Sequence, residues 1–155
     1  MLRNAVLAAV LAVGFLSSAS AATQKYHATL NGKSENPPTT STGTGTLAAS
    51  LDTATKTLTY TLTFDGLTGP ATMAHFHGPA AKGANAPVAV VIGGPGPTSP
   101  VTGSAVLTDD QIKDLRGGKW YVNVHTAANK AGEIRGTVLH GALPKPKPAA
   151  KPKQG

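Results

Sequence analysis

The chain has 155 residues, with 14 lysines and arginines, 7 aspartates and glutamates, and no cysteine. The lack of cysteine excludes disulfides, thiol redox chemistry and thiolate metal sites. Five basic residues lie in the terminal segments, which leaves 14 − 5 = 9 basic against 7 acidic residues in between, so we expect no nucleic-acid surface. The five are Arg3, Lys145, Lys147, Lys151 and Lys153.

Residues 1–21 have the composition of a secretory signal peptide. Arg3 precedes an apolar run from Ala5 to Leu16, and Ala19-Ser20-Ala21 fits a cleavage site. An uncleaved anchor is the alternative, but a membrane span needs roughly 20 apolar residues. We therefore predict a periplasmic or secreted protein, with no transmembrane segment in the mature chain.

Residues 142–155 alternate lysine and proline, a composition that forms no core and favours a disordered, extended tail. Such a tail is either a solubilising end or a contact for an anionic envelope surface. Residues 22–141 remain, a length that suits one β-sandwich domain.

The middle of the chain alternates apolar and polar residues with the period of β-strands. The pattern is clearest in 56–64, where Leu58, Tyr60, Leu62 and Phe64 share one face and threonines occupy the other. Strands are predicted at 24–30, 45–51, 56–64, 71–77, 87–92, 101–107, 119–125 and 132–140, separated by loops rich in glycine and proline.

One short helix follows the sixth strand. Thr108 is its predicted N-cap, Gln111 completes a capping box, and Gly117 and Gly118 end it. About eight short strands with one short helix predict an all-β fold, an antiparallel Greek-key β-sandwich or barrel.

Three of the five histidines are predicted to gather on one face of the sheet. His75 and His77 are two residues apart in a strand and therefore share a face, opposite the core residue Phe76. His125 likewise lies opposite Val122 and Val124. If the two strands are neighbours, three imidazoles meet on an outward-facing surface, and imidazole ligands without thiolates suit copper, with zinc as second choice.

Other chemistry is weakly supported. Met73 shares the face of the paired histidines, as a soft ligand or a packing residue. His27 is predicted to be solvated, and His140 lies beside the tail and is not expected to be a ligand. Glu133 and Arg135 share a strand face and could pair. No local signature of a nucleophile elbow or phosphate loop is present, so catalysis is not expected.

Several motifs together resemble the CHRD domain, a module named after chordin that also occurs as a stand-alone exported domain in bacteria. The resemblance covers residues 25–140 and rests on A-H-F-H-G-P-A at 74–80, K-W-Y-V-N-V-H-T at 119–126 and G-E-I-R-G at 132–136. It implies an exported β fold. In chordin the modules belong to an extracellular antagonist of bone morphogenetic proteins, a role we do not expect of a lone domain.

The same segments are distantly similar to the layout of copper–zinc superoxide dismutase, an eight-stranded Greek-key sandwich. That similarity implies that His75, His77 and His125 match copper ligands and that Arg135 matches an anion-guiding arginine. The bridging histidine, the zinc-site residues and the disulfide cysteines have no match in this chain.

Three functions follow from the sequence, in order of preference. The first is an exported protein that binds a metal ion for storage, delivery or buffering. The second is a metal-free protein- or envelope-interaction module, and the third is a redox enzyme of the dismutase type.

Overall fold

The computed structural model describes residues 22–145. The predicted signal peptide at 1–21 lies outside the described residues, as does the part of the predicted tail from 146 to 155. No helix within the described residues is long and apolar enough to cross a membrane.

The regular secondary structure of the described chain is almost entirely β-strand. Its strands are β1 (Thr23–Asn31), β2 (Thr44–Asp52), β3 (Thr57–Asp65), β4 (Ala71–His77), β5 (Val88–Val91), β6 (Val101–Val106), β7 (Tyr121–Thr126), β8 (Ile134–Thr137) and β9 (Leu139–His140). A 3₁₀ turn, Gly32–Ser34, follows β1, and helix α1 (Asp109–Arg116) lies between β6 and β7. The predicted eighth strand is divided, because Val138 leaves the sheet ladder and its N–H binds the carbonyl of Trp120 at 2.9 Å.

All paired strands run antiparallel in one curled, nearly closed sheet of order β5-β4-β7-β8-β1-β2-β3-β6, with β9 beside β1. Strands β1 to β3 form a meander, whereas the β3–β4 and β5–β6 connections join strands that are not neighbours, as in Greek-key folds. The predicted all-β antiparallel fold with one short helix is confirmed.

The inward faces of the strands form one core. Alternation places Leu58, Tyr60 and Leu62 inside, and Phe76 packs edge-on against Tyr60 with ring centroids 5.3 Å apart. Trp120 lies on the other side of Phe76, at 5.8 Å.

Helix α1 closes the core between β6 and β7. The predicted capping box is present: the Thr108 hydroxyl accepts from the Gln111 N–H, and the Gln111 side chain accepts from the Thr108 N–H. Ile112 and Leu115 are its buried residues. The helix thereby places Trp120 at the entrance to β7, one of the two strands that carry the predicted site.

Candidate metal site

The two histidine strands are neighbours. In the β4–β7 ladder His75 lies opposite Asn123, His77 opposite Tyr121, and Met73 opposite His125. Because Phe76 and Val122 fill the core on the other face, these polar side chains all lie on the face that points away from it. The predicted gathering of His75, His77 and His125 on one face is confirmed.

The histidines are buried, although they face away from the apolar core. Their exposed fractions are 8% for His75, 8% for His77 and 6% for His125. The loop at 78–87 contributes the carbonyl of Ala86, which lies 2.9 Å from His77 Nδ1. The loop at 127–133 contributes the carbonyl of Lys130, 2.9 Å from His125 Nδ1. The sequence left open whether this face is covered, and these two loops cover it.

The two carbonyls also fix the histidine tautomers. A carbonyl oxygen only accepts, so Nδ1 of His77 and of His125 must carry the proton. Each Nε2 then presents a lone pair to the space between the rings. This is the way that outer hydrogen bonds orient histidine ligands in metal sites.

The ring nitrogens converge closely enough to share one ion. His75 Nδ1 lies 3.1 Å from His125 Nε2, and one nitrogen from each of the three rings lies within 4.8 Å of the others. Two nitrogens bound at about 2.0–2.1 Å to one metal ion cannot be further apart than about 4.2 Å. The separations of the three nitrogens are therefore at or only slightly above what one shared ion allows. Within residues 22–145 this is the one cluster of three or more histidine or acidic side chains with such spacing.

Two of the three histidines are disfavoured in their charged form. Burial, together with the neighbouring His125 and His77, lowers the pKa of His75 to about 4. Burial also lowers the pKa of His125, against the opposing hydrogen bond to the Lys130 carbonyl. Neutral imidazole is the form that binds metal ions.

A layered stack borders the cluster on one side. The rings of His77 and Tyr121 are parallel, with an interplanar angle of 3° and centroids 4.8 Å apart. The Arg135 guanidinium carbon lies 4.8 Å from the centre of the Tyr121 ring. The Tyr121 hydroxyl accepts from the Ala86 N–H at 3.3 Å, which ties the covering loop to the stack.

Arg135 binds the covering loops and does not face an open site. It is 4% exposed, and its N–H groups donate to the carbonyls of Ser34, Gly83 and Ala84 and to Asn85 Oδ1. The anion-guiding role implied by the dismutase similarity does not fit these contacts. Its acidic neighbour is Glu35, with Nε and Oε2 3.8 Å apart, so the suggested pairing with Glu133 is wrong.

Glu133 instead forms a separate polar anchor. Its fully buried carboxylate accepts hydrogen bonds from Ser41, Thr68, Thr126 and Asn129. Burial raises its pKa, but the hydrogen bonds from Ser41, Thr126 and Thr68 outweigh that effect and hold the pKa at about 2.

Sequence reasoning assigned no role to Glu35 or Asn123. Glu35 is 6% exposed, and its Oε1 has no hydrogen-bond partner. Burial raises the pKa of Glu35 to about 7, although Arg135 and the Asn36 N–H act to lower it. Asn123 is 2% exposed, with Oδ1 3.1 Å from His77 Nε2. In the sequence, the only indication of a role for Asn123 was the alternation of β7, which placed this residue on the same face as the histidines.

The remaining candidates lie elsewhere or remain open to solvent. His27 Nδ1 lies 3.1 Å from the Gly141 carbonyl, and the His140 ring packs edge-on against Tyr26. Neither belongs to the cluster. Met73 is 45% exposed, so it is not a packing residue.

Fold and site together define a small antiparallel β-domain with a buried histidine cluster on the outside of its sheet. The family model of the CHRD domain matches residues 26–138, and the chain belongs to that family. No curated protein and no solved structure matches the chain.

Proposed function

We propose that this CHRD-domain protein binds one metal ion through His75, His77 and His125. The convergence of three ring nitrogens within 4.8 Å of one another is the observation that carries the proposal. The carbonyls of Ala86 and Lys130 support it, because they leave Nε2 of His77 and His125 free to coordinate.

The metal we propose is copper, with zinc as the second choice. Three imidazole nitrogens and no thiolate suit both ions, and copper(II) binds nitrogen ligands more tightly than the other divalent ions of the first transition row. The burial of the cluster favours holding an ion over exchanging it rapidly. Storage, delivery or buffering of the ion is therefore the role we propose.

We also propose that the protein acts outside the cytoplasm, in the periplasm or as a secreted protein. This rests on the charge and hydropathy pattern of residues 1–21 alone. Cell fractionation of a strain that expresses the full chain, with mass spectrometry of the mature N-terminus, tests it. A mature chain that begins near Ala22 is the expected result, and an intact Met1 in the cytoplasmic fraction would contradict it.

Native mass spectrometry of the purified protein, titrated with copper(II) and with zinc(II), tests the metal proposal. One equivalent should bind tightly, and the double variant His75→Ala/His77→Ala should lose it. His27→Ala/His140→Ala is the matched control, since it removes two histidines outside the cluster and should bind as the wild type does. Equal binding by all three proteins would overturn the proposal.

A metal-free interaction module is the second candidate. One observation favours it: each ring of the cluster already lies within hydrogen-bond distance of a partner, as a purely structural network would require. In that case the lysine-rich tail makes the contact with an anionic envelope surface. Sedimentation with anionic and neutral vesicles, with and without residues 142–155, tests it. Binding to anionic vesicles that disappears with the tail supports this candidate, and no binding by either protein argues against it.

A further inference from the structure

Asn123 occupies the centre of the histidine cluster. In the sheet it lies directly opposite His75 on β4 and opposite Arg135 on β8. It also shares its face with His125, two residues further along β7. Its side chain is 2% exposed, so water does not satisfy it freely.

Asn123 lies within hydrogen-bond distance of the nitrogen through which His77 would coordinate an ion. His77 Nδ1 donates its proton to the Ala86 carbonyl, so Nε2 of the neutral ring carries a lone pair. The atom that faces this lone pair, at 3.1 Å, is Asn123 Oδ1, which also only accepts. The separation equals that between His75 Nδ1 and His125 Nε2. Either a proton or a metal ion can lie between these two atoms, so an ion bound to His77 Nε2 would also be within reach of Asn123 Oδ1.

Glu35 accounts for the orientation of the Asn123 amide. A Cβ atom placed on Gly132 would lie 2.5 Å from Glu35 Oε1 and 2.9 Å from Asn123 Nδ2, so both atoms crowd the space that glycine leaves open. Glu35 Oε1 has no hydrogen-bond partner. A carboxylate in this place would attract the N–H side of the amide and so direct Oδ1 at the histidines.

We propose that Asn123 Oδ1 is the fourth ligand of the metal site and that Glu35 is the positioning residue that holds the amide in its ligating orientation. This rests on the proposed metal binding. The resulting donor set is three neutral nitrogens and one neutral, hard oxygen. Oxygen ligands suit divalent ions, whereas copper(I) prefers soft ligands. The site therefore selects copper(II) or zinc(II) over copper(I).

Asn123→Ala tests the ligand. The affinity of this variant for copper(II) and zinc(II) should fall by about 10- to 100-fold, as with other losses around a metal site. Its affinity for copper(I), measured anaerobically against a chromophoric chelator, should stay unchanged. Gln24→Ala is the matched control, because that amide binds Tyr26 and Arg116 far from the cluster. A wild-type copper(II) affinity and spectrum in Asn123→Ala would overturn the proposal.

A second pair of variants separates ligation and positioning from mere structure. Asn123→Asp offers an oxygen in either orientation, so it should retain divalent binding with a changed copper(II) paramagnetic resonance spectrum. Glu35→Gln should then weaken copper(II) binding when residue 123 is asparagine but not in the N123D background. Equal weakening in both backgrounds would show that Glu35 acts only structurally, and an unchanged N123D spectrum would exclude ligation even if Asn123→Ala fails to fold. Failure of the metal proposal itself is recognised separately, because His75→Ala/His77→Ala would then bind as the wild type does.

Discussion

His125 Nε2 and His75 Nδ1 lie 3.1 Å apart on neighbouring strands. The Lys130 carbonyl accepts a hydrogen bond from His125 Nδ1, so His125 Nε2 carries a lone pair. In the metal-free protein His75 Nδ1 must therefore donate to His125 Nε2. A metal ion bound by both nitrogens replaces that proton. Metal binding and the internal hydrogen bond therefore exclude each other, and on binding the His75 proton moves to Nε2, the other neutral tautomer.

Metal ions should stabilise the protein through this cluster. At a free zinc(II) concentration 100 times Kd, the free energy of unfolding should rise by about 2.7 kcal/mol. For a domain of this size that corresponds to an increase in Tm of about 10 °C. Differential scanning calorimetry with and without zinc(II) measures the shift. His125→Gln should show no zinc-dependent shift, and a shift equal to that of the wild type would contradict the assignment.

Arg135→Met should destabilise the domain strongly. The substitution leaves the Glu35 carboxylate buried without its cation, and such changes cost about 3–5 kcal/mol. Urea unfolding at pH 8 measures the loss. Lys119→Met is the matched control: it breaks an exposed pair with Asp114, which is worth less than about 1 kcal/mol. Similar losses in the two variants would show that Arg135 does not hold the covering loops.

Acid should weaken the fold through Glu133. Its folded pKa of about 2 lies below the ordinary value of 4.5, so its hydrogen bonds contribute full stability above pH 4.5. That contribution is lost as the pH falls from 4.5 toward 2, because the unfolded chain takes up the proton first. Urea unfolding at a series of pH values should show this decline in the wild type. In Glu133→Gln the decline over this window should be smaller, and parallel profiles would contradict the assignment.

Gly132→Ala should damage both stability and metal binding. Gly132 has a φ of +134°, and an added Cβ would contact Glu35 and Asn123. We expect a loss of about 1–3 kcal/mol in the free energy of unfolding, with weaker copper(II) binding. Gly69→Ala is the control, since no atom lies within 4 Å of its added Cβ. Unfolding curves of both variants measure the loss of stability, and copper(II) titrations of both measure the loss of metal binding.

The sequence predicted the strands well because residues such as Leu58, Tyr60 and Leu62 alternate with the period of the sheet. It also predicted the face of the three histidines, since that depends only on their distance in sequence from Phe76, Val122 and Val124. The burial of the histidines was not predictable in this way. It depends on where the carbonyls of Ala86 and Lys130 lie, and loop paths carry no periodic signal.

The contacts of Arg135 and Glu35 were missed for a related reason. Glu35 lies 100 residues before Arg135, and the two meet only because β1 and β8 are neighbours in the sheet. The nearer acid, Glu133, was chosen from its position on the same strand. The Glu133 carboxylate instead accepts hydrogen bonds from Thr68 and Thr126, and strand alternation alone does not predict these contacts.

Electron paramagnetic resonance of the copper(II) complex tests the central claim most directly. The measurement is sharpest in His27→Gln/His140→Gln, because the three remaining histidines are then those of the cluster. One equivalent of copper(II) should show couplings to imidazole nitrogens, and a further His125→Gln substitution should remove one of them. A spectrum without imidazole coupling, or one unchanged by His125→Gln, would contradict a metal site at His75, His77 and His125.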